Sequence, residues 1–339
     1  MRHLLFAAPL AVVAACSSFS VTETPSPGDA PVDAGTALRE DASAPDAGNG
    51  SNFLAGGRGS GIAYFAGHVY VTDAVRGIVF AADDDGRNAT RFAETGGAPK
   101  NPLATEDGLY WCDTKDLSRV EGPVVLFQPW DRSPAASLPL PPDHSCLGLA
   151  SFADQSIVFL HAANGSGSLV GAARRLGKRN AGVALDANPY AIASSGSTIY
   201  VTLSANGTIL AFTGFDTSTP ARTDLATNQT DCQQIAASSA NVFWSRPNDK
   251  RVVRSPGGFL LASELLDERR AHSLVADERH VYWRNEAGAI RRAQDAAAAV
   301  AVPFADDATT GFDAYSRTIA LSGDRVFWLT ADGVASKAK

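Results

Sequence analysis

The chain lacks a basic surplus: Lys and Arg total 29 against 36 Asp and Glu, a formal charge of -7. Phosphate binding needs a positive footprint, so a nucleic-acid partner is excluded on electrostatic grounds. The chain also lacks the ~20 consecutive apolar residues that a membrane-spanning helix requires. Between residues 17 and 52 large apolar side chains are almost missing, and Ser, Thr, Pro, Asp, Ala and Gly take their place. Such a segment cannot bury enough surface to repay its ordering. What remains is substantial: 339 residues, 45% hydrophobic and 19% charged, the composition of a globular chain with room for one large or two ordinary domains.

The first residues, "MRHLLFAAPLAVVAAC", combine a basic start at Arg2, an apolar stretch from Leu4 to Val13 and small residues before Cys16. That layout is a secretory signal over residues 1–15. "VAAC" resembles the lipobox of bacterial lipoproteins, in which the Cys is diacylated and becomes the new N-terminus, so the resemblance makes Cys16 the lipidation site. In that family an Asp after the Cys favours inner-membrane retention; Ser17 follows here and resembles the outer-membrane class. Residues 16–52 then read as a tether with an r.m.s. reach of roughly 30 Å, and residues 53–339 as the folded domain.

Within that domain a short motif recurs seven times. "IAYFAGHVYV" from 62, "LATEDGLYW" from 103, "LASFADQSIVF" from 149, "IASSGSTIYV" from 192, "IAASSANVFW" from 235, "LVADERHVYW" from 274 and "IALSGDRVFW" from 319 share one pattern. The anchors Tyr70, Tyr110, Val158, Tyr200, Phe243, Tyr282 and Phe327 recur about every 39 to 48 residues. Each unit is two short strands around a polar turn, with a third run following, as in "GIVFAA" from 77. The second runs are apolar on successive residues, so both of their faces should be buried. Several short strands per period of this length predict an all-β, seven-bladed β-propeller with four-stranded antiparallel blades, six blades being the alternative.

The domain resembles YWTD- and NHL-type propellers through "VYVTD" from 69, "LYWCD" from 109, "VFWSR" from 242, "VYWRN" from 281 and "VFWLT" from 326. Only Asp73 and Asp113 keep the YWTD aspartate, so the resemblance implies fold rather than receptor function. The last unit stops after its third run, while "NFLAGG" at 52–57 resembles the outer-strand region "TRFAETGG" at 90–97. The expectation is an N-terminal strand that completes the last blade and protects its edge.

Cys112 falls near the end of a second strand, and Cys146 and Cys232 where the chain enters an innermost strand. An exported compartment permits a disulfide. The register favours Cys112 with Cys146, leaving Cys232 free; three buried thiols is the alternative.

One residue beyond that cysteine register stand Ser60, Asn101, Leu147, Tyr190, Gln233, His272 and Arg317. Propeller repeats project equivalent positions round one axis, so Asn101, Tyr190, Gln233, His272 and Arg317 are the candidate ligand-binding residues at the channel mouth. The ring has no carboxylate, which a hard cation would need, and general acid/base work needs partners beside a lone His272. No metal, cofactor or catalytic residue is therefore assigned. The expected function is a monomeric cell-envelope lipoprotein, anchored to the membrane by its lipid, whose propeller binds a protein, glycan or small molecule without catalysis. The alternative is a hydrolase or lyase resembling propeller lactonases or streptogramin lyase. "DDD" at 83–85, "GSGSL" from 165 and "RRLGKR" from 174 read as solvated turns or loops.

Overall fold

The computed structural model describes residues 53–339, leaving out residue 56 and short segments at 116–122, 142–143, 153–155, 164–165, 174–175, 177–178, 186, 216–219, 257–262, 267–269, 297–298, 308 and 313–315. The expected signal, the lipidation site Cys16 and the tether lie outside the described residues.

Seven antiparallel sheets follow one another along the chain, and their innermost strands neighbour one another in sequence until the last meets the first. This is a seven-bladed β-propeller. Blade one consists of Gly59–Phe65, His68–Asp73, Ile78–Asp83 and Thr90–Glu94. The innermost strands of the next five blades are Gly97–Thr105, Ser145–Phe152, Pro189–Ser195, Ile235–Ala237 and Ala271–Ala276. Blade seven has three described strands, Ile319–Leu321, Arg325–Leu329 and Val334–Ala338.

The repeated anchors explain why the blades stack. Every anchor lies in a second strand, and its side chain packs into the apolar cluster shared with the following blade: Tyr70 with Leu109, Tyr110 with Leu149, and so on round to Phe327 with Ile62. The residue after the anchor turns to the opposite face of the strand. Trp111, Trp244, Trp283 and Trp328 therefore pack into the clusters shared with the preceding blades. Seven clusters among the described residues fill the seven joints, and the continuous apolar runs are the signature of strands covered on both sides.

The aspartate at the end of the first of these runs is a turn device. Asp73 Oδ1 accepts from the backbone N–H of Arg58, Val75 and Arg76 at 3.0, 3.0 and 3.1 Å. In blade six Asn285 takes the part, accepting from Ala287 and Ala289 at 3.1 Å each.

The chain does return to blade seven at its N-terminal side, but among the described residues of the expected outer strand Phe53–Ala55 make a turn and pair with no strand of that blade. The Leu54 N–H donates to Asp332 O at 2.9 Å, at the turn between the second and third strands of blade seven. Arg76 holds the turn from blade one through Phe53 O and Ala55 O, both at 2.9 Å. Leu54 is fully buried with Phe327 and Leu329. Phe53 and Leu54 thereby add two large buried side chains to the apolar cluster at the joint of blades seven and one.

Cys112 and Cys146 are bonded, with Cα atoms 5.7 Å apart, and the bond ties the second strand of blade two to the innermost strand of blade three. Cys232 is free and fully buried, and burial pushes its thiol up to about 12.

Candidate functional site

The innermost strands share a local irregularity near their starts. Opposite the second strand, the register slips between Gly59 and Gly61, between Lys100 and Leu103, between Pro189 and Ala191 and between His272 and Val275, while Leu147 is the extra residue of blade three. These are β-bulges, which re-aim side chains. Asn101 and Ser273, both at φ 49°, lie in the left-handed region at two of them.

Asn101 and Tyr190 fall on these bulges, His272 borders one, and Gln233 and Arg317 precede their strands; the five side chains diverge. Asn101 and Arg317 come together at the waist of the channel: Asn101 Nδ2 donates to Leu147 O at 2.9 Å, and its Oδ1 accepts from the Arg317 backbone N–H at 3.2 Å. Tyr190 instead turns into the joint between blades four and five, beside Cys232 and Trp244. Gln233 leans back to Asp231, donating from Nε2 at 3.0 Å, and its neighbour Gln234 lines the waist. His272 lines a separate cavity between blades six and seven. Of the five, Asn101 and Arg317 lie together at the waist, and Tyr190, Gln233 and His272 lie elsewhere.

Beyond the waist, which encloses about 20 Å³, the channel widens into a cavity of about 260 Å³. Its wall is mainly apolar, with Ile62, Tyr64, Ile235, Leu274, Ile319 and Leu321 contributed by the innermost strands. Arg317 borders both spaces. Its guanidinium has no ion-pair partner among the described residues, and burial alone pulls its pKa below the ordinary arginine value. A half-buried cation that lacks a carboxylate partner among the described residues favours an acceptor brought by a ligand. Among the described residues no three His, Cys, Asp or Glu side chains cluster as metal ligands.

Gln234 falls outside the register of the candidate ring, and the cavity beside His272 corresponds to no motif in the sequence. Its clearest signal was Arg284, which stands inside "VYWRN", a run read as buried on both faces. A charge at such a position requires dedicated partners.

No family model matches the chain, and no curated protein sequence does. Solved structures do. Virginiamycin B lyase from Staphylococcus aureus matches at TM-score 0.64 and 13% identity, over 82% of this chain and 94% of that one. BamB from Moraxella catarrhalis matches at 0.53 and 11%, over 82% and 83%. A chain of a nidogen/laminin complex matches at 0.51 and 12%, over 67% and 89%. At these identities, what the chain shares with the lyase, BamB and the nidogen/laminin chain is the β-propeller fold.

Proposed function

We propose that this chain is a lipid-anchored envelope protein whose propeller is a non-enzymatic binding module for an amphipathic anion at the channel mouth. The observation that carries this reading is Arg317, a partly buried cation that has no carboxylate partner among the described residues and stands at the base of a cavity whose lining side chains are mainly apolar. The apolar part of a ligand lies against Ile62, Leu274 and Ile319, and its acid group meets the guanidinium, whose planar fork suits a carboxylate. The enzymatic alternative draws on fold similarity to virginiamycin B lyase, but among the described residues no Asp, Glu, His, Lys or Cys lines the channel beside Arg317.

Calorimetric titration with octanoate and with 1-octanol tests the site. Octanoate should bind more tightly, and Arg317→Ala should weaken it by ~1.5–3 kcal/mol, the usual range for a hydrogen bond to a charged group, while leaving 1-octanol unchanged. Equal binding of acid and alcohol, or a silent Arg317→Ala, refutes the assignment. The anchor is tested separately: Cys16→Ser should move the protein from the membrane to the soluble envelope fraction or stall its processing. Normal maturation and membrane partitioning of that variant would exclude a lipid anchor.

A further inference from the structure

The repeat that builds the propeller also sets the bore of its channel. Each anchor on a second strand lies directly opposite one residue of the innermost strand: Ala63 faces Tyr70, Ala150 faces Val158, Ala193 faces Tyr200, Ala236 faces Phe243 and Ala320 faces Phe327. In the other two blades that position is larger, with Leu103 opposite Tyr110 in blade two and Val275 opposite Tyr282 in blade six. All of these innermost-strand residues border the wide channel cavity and, being equivalent positions, do so at one level.

The five alanines are buried, each in the same joint cluster as the anchor it faces. Leu103 and Val275 are only half-buried, so part of each side chain stands in the open space of the channel. The neighbouring Ile62, Ile235, Leu274 and Ile319 take the other face of their strands and lie buried in the preceding joints. Tyr64 turns aside to stack on Phe327, with ring centres 5.1 Å apart. Blades two and six are three steps apart one way round the ring and four the other, the widest separation that seven positions allow. Leu103 and Val275 therefore pinch the bore from nearly opposite sides. The remaining cross-section is a slot, long from blades three to five across to blades seven and one, and Arg317 is carried by blade seven at one end of it.

We propose that the channel selects its ligand by shape, taking an acid whose apolar body is flat or unbranched and rejecting one whose body is globular, with Leu103 and Val275 as the residues that decide. The proposal rests on the anion reading for the acid group, but the slot acts on the apolar body alone. The walls of a slot touch both faces of a flat ring or an extended chain, and dispersion contact is lost once a gap opens. A cage of similar volume has to displace Leu103 or Val275, and a packed wall resists such crowding.

The test is calorimetric titration of the full chain with two matched pairs: 2-naphthoate and adamantane-1-carboxylate, flat and globular acids of similar size, and their neutral counterparts 2-naphthalenemethanol and 1-adamantanemethanol. The parent should bind the flat member of each pair roughly 10-fold more tightly, the scale of a modest overpacking cost. Leu103→Ala/Val275→Ala should lose most of that preference through a gain for the adamantyl ligands, with a cooperative melt as the check on folding; should the double variant not fold, Leu103→Ala alone carries the same reading. Arg317→Ala should weaken both acids and leave the flat preference of the alcohols as it was. Equal binding of acids and alcohols with the flat preference intact refutes the anion reading and leaves the slot standing. The slot is overturned if the parent binds the adamantyl ligands as tightly as the naphthyl ones, if the folded variants keep the full preference, or if none of the four ligands binds.

Discussion

Reduction of the Cys112–Cys146 bond should lower stability by an amount that the chain length between the two residues fixes. They are 34 residues apart, and loop-closure entropy for a ring of that size is worth roughly 3.5–4 kcal/mol at 25 °C. Little of this is offset in the folded state. Both sulfurs lie in the joint between blades two and three with Tyr110, Leu149 and Ile157, where reduced thiols stay packed as small apolar groups. At about 2 °C per kcal/mol for a large domain, the melt should fall by roughly 6–10 °C. Calorimetry with and without a phosphine reductant measures it, and in a Cys112→Ala/Cys146→Ala variant the reductant should do nothing. Alkylation supplies the chemical check. In unfolded, unreduced protein Cys232 should be labelled while Cys112 and Cys146 are not. In the native fold Cys232 should resist, being fully buried with its thiol pushed up to about 12. A parent melt that moves by less than ~1 °C on reduction, or alkylation of all three cysteines without reductant, would refute the reasoning.

The turn that joins blades seven and one gives a second prediction. Leu54→Ala should cost about 2–5 kcal/mol as a fully buried truncation, and deletion through Gly57 should lower the melt sharply where deletion of residues 17–50 does not; equal melts for the two truncations would sink it. A third concerns pH. Burial pulls the His272 imidazole below its ordinary 6.5, so the folded chain binds that proton less readily than the unfolded chain. Stability from this group is therefore complete above pH 6.5 and declines as the pH falls below it. The urea midpoint should drop between pH 7.5 and 5.5, and by less in His272→Gln; an identical drop in the variant would remove His272 as a cause.

The fold was legible because its determinant is local and repeated. An aromatic at Tyr70 or Tyr282, followed by Val71 or Trp283, states that both faces of that strand are covered, and the recurrence of such strands every 39 to 48 residues points to stacked blades. Blade seven was less legible, since "NFLAGG" has strand-like composition while the backbone pays no regard to it: carbonyls of Phe53 and Ala55 are taken by Arg76, 21 to 23 residues away. The candidate site was half legible. Asn101 and Arg317 meet as equivalent positions should, but a bulge adds a residue to one strand, and one added residue sends a side chain to the other face. Tyr190 enters a joint and His272 a different cavity, each at or beside such a slip. Nothing in the motif spacing reports such an insertion, because the slip lies upstream of the anchors that define the repeat.

The noncovalent joint between blades seven and one has a mechanical meaning. Elsewhere the outer strand of one blade runs on to the innermost strand of the next, as Glu94 does to Gly97, so separating those blades must stretch the chain. Here the grip consists of Leu54 N–H on Asp332 O, Ile62 N–H on Arg317 O and Arg58 Nη2 on Gly311 O, with the apolar cluster beneath them. Tension applied between residues 53 and 339 loads this clasp first. The ring should open there as one short event, leaving a string of intact blades that then yields in larger steps.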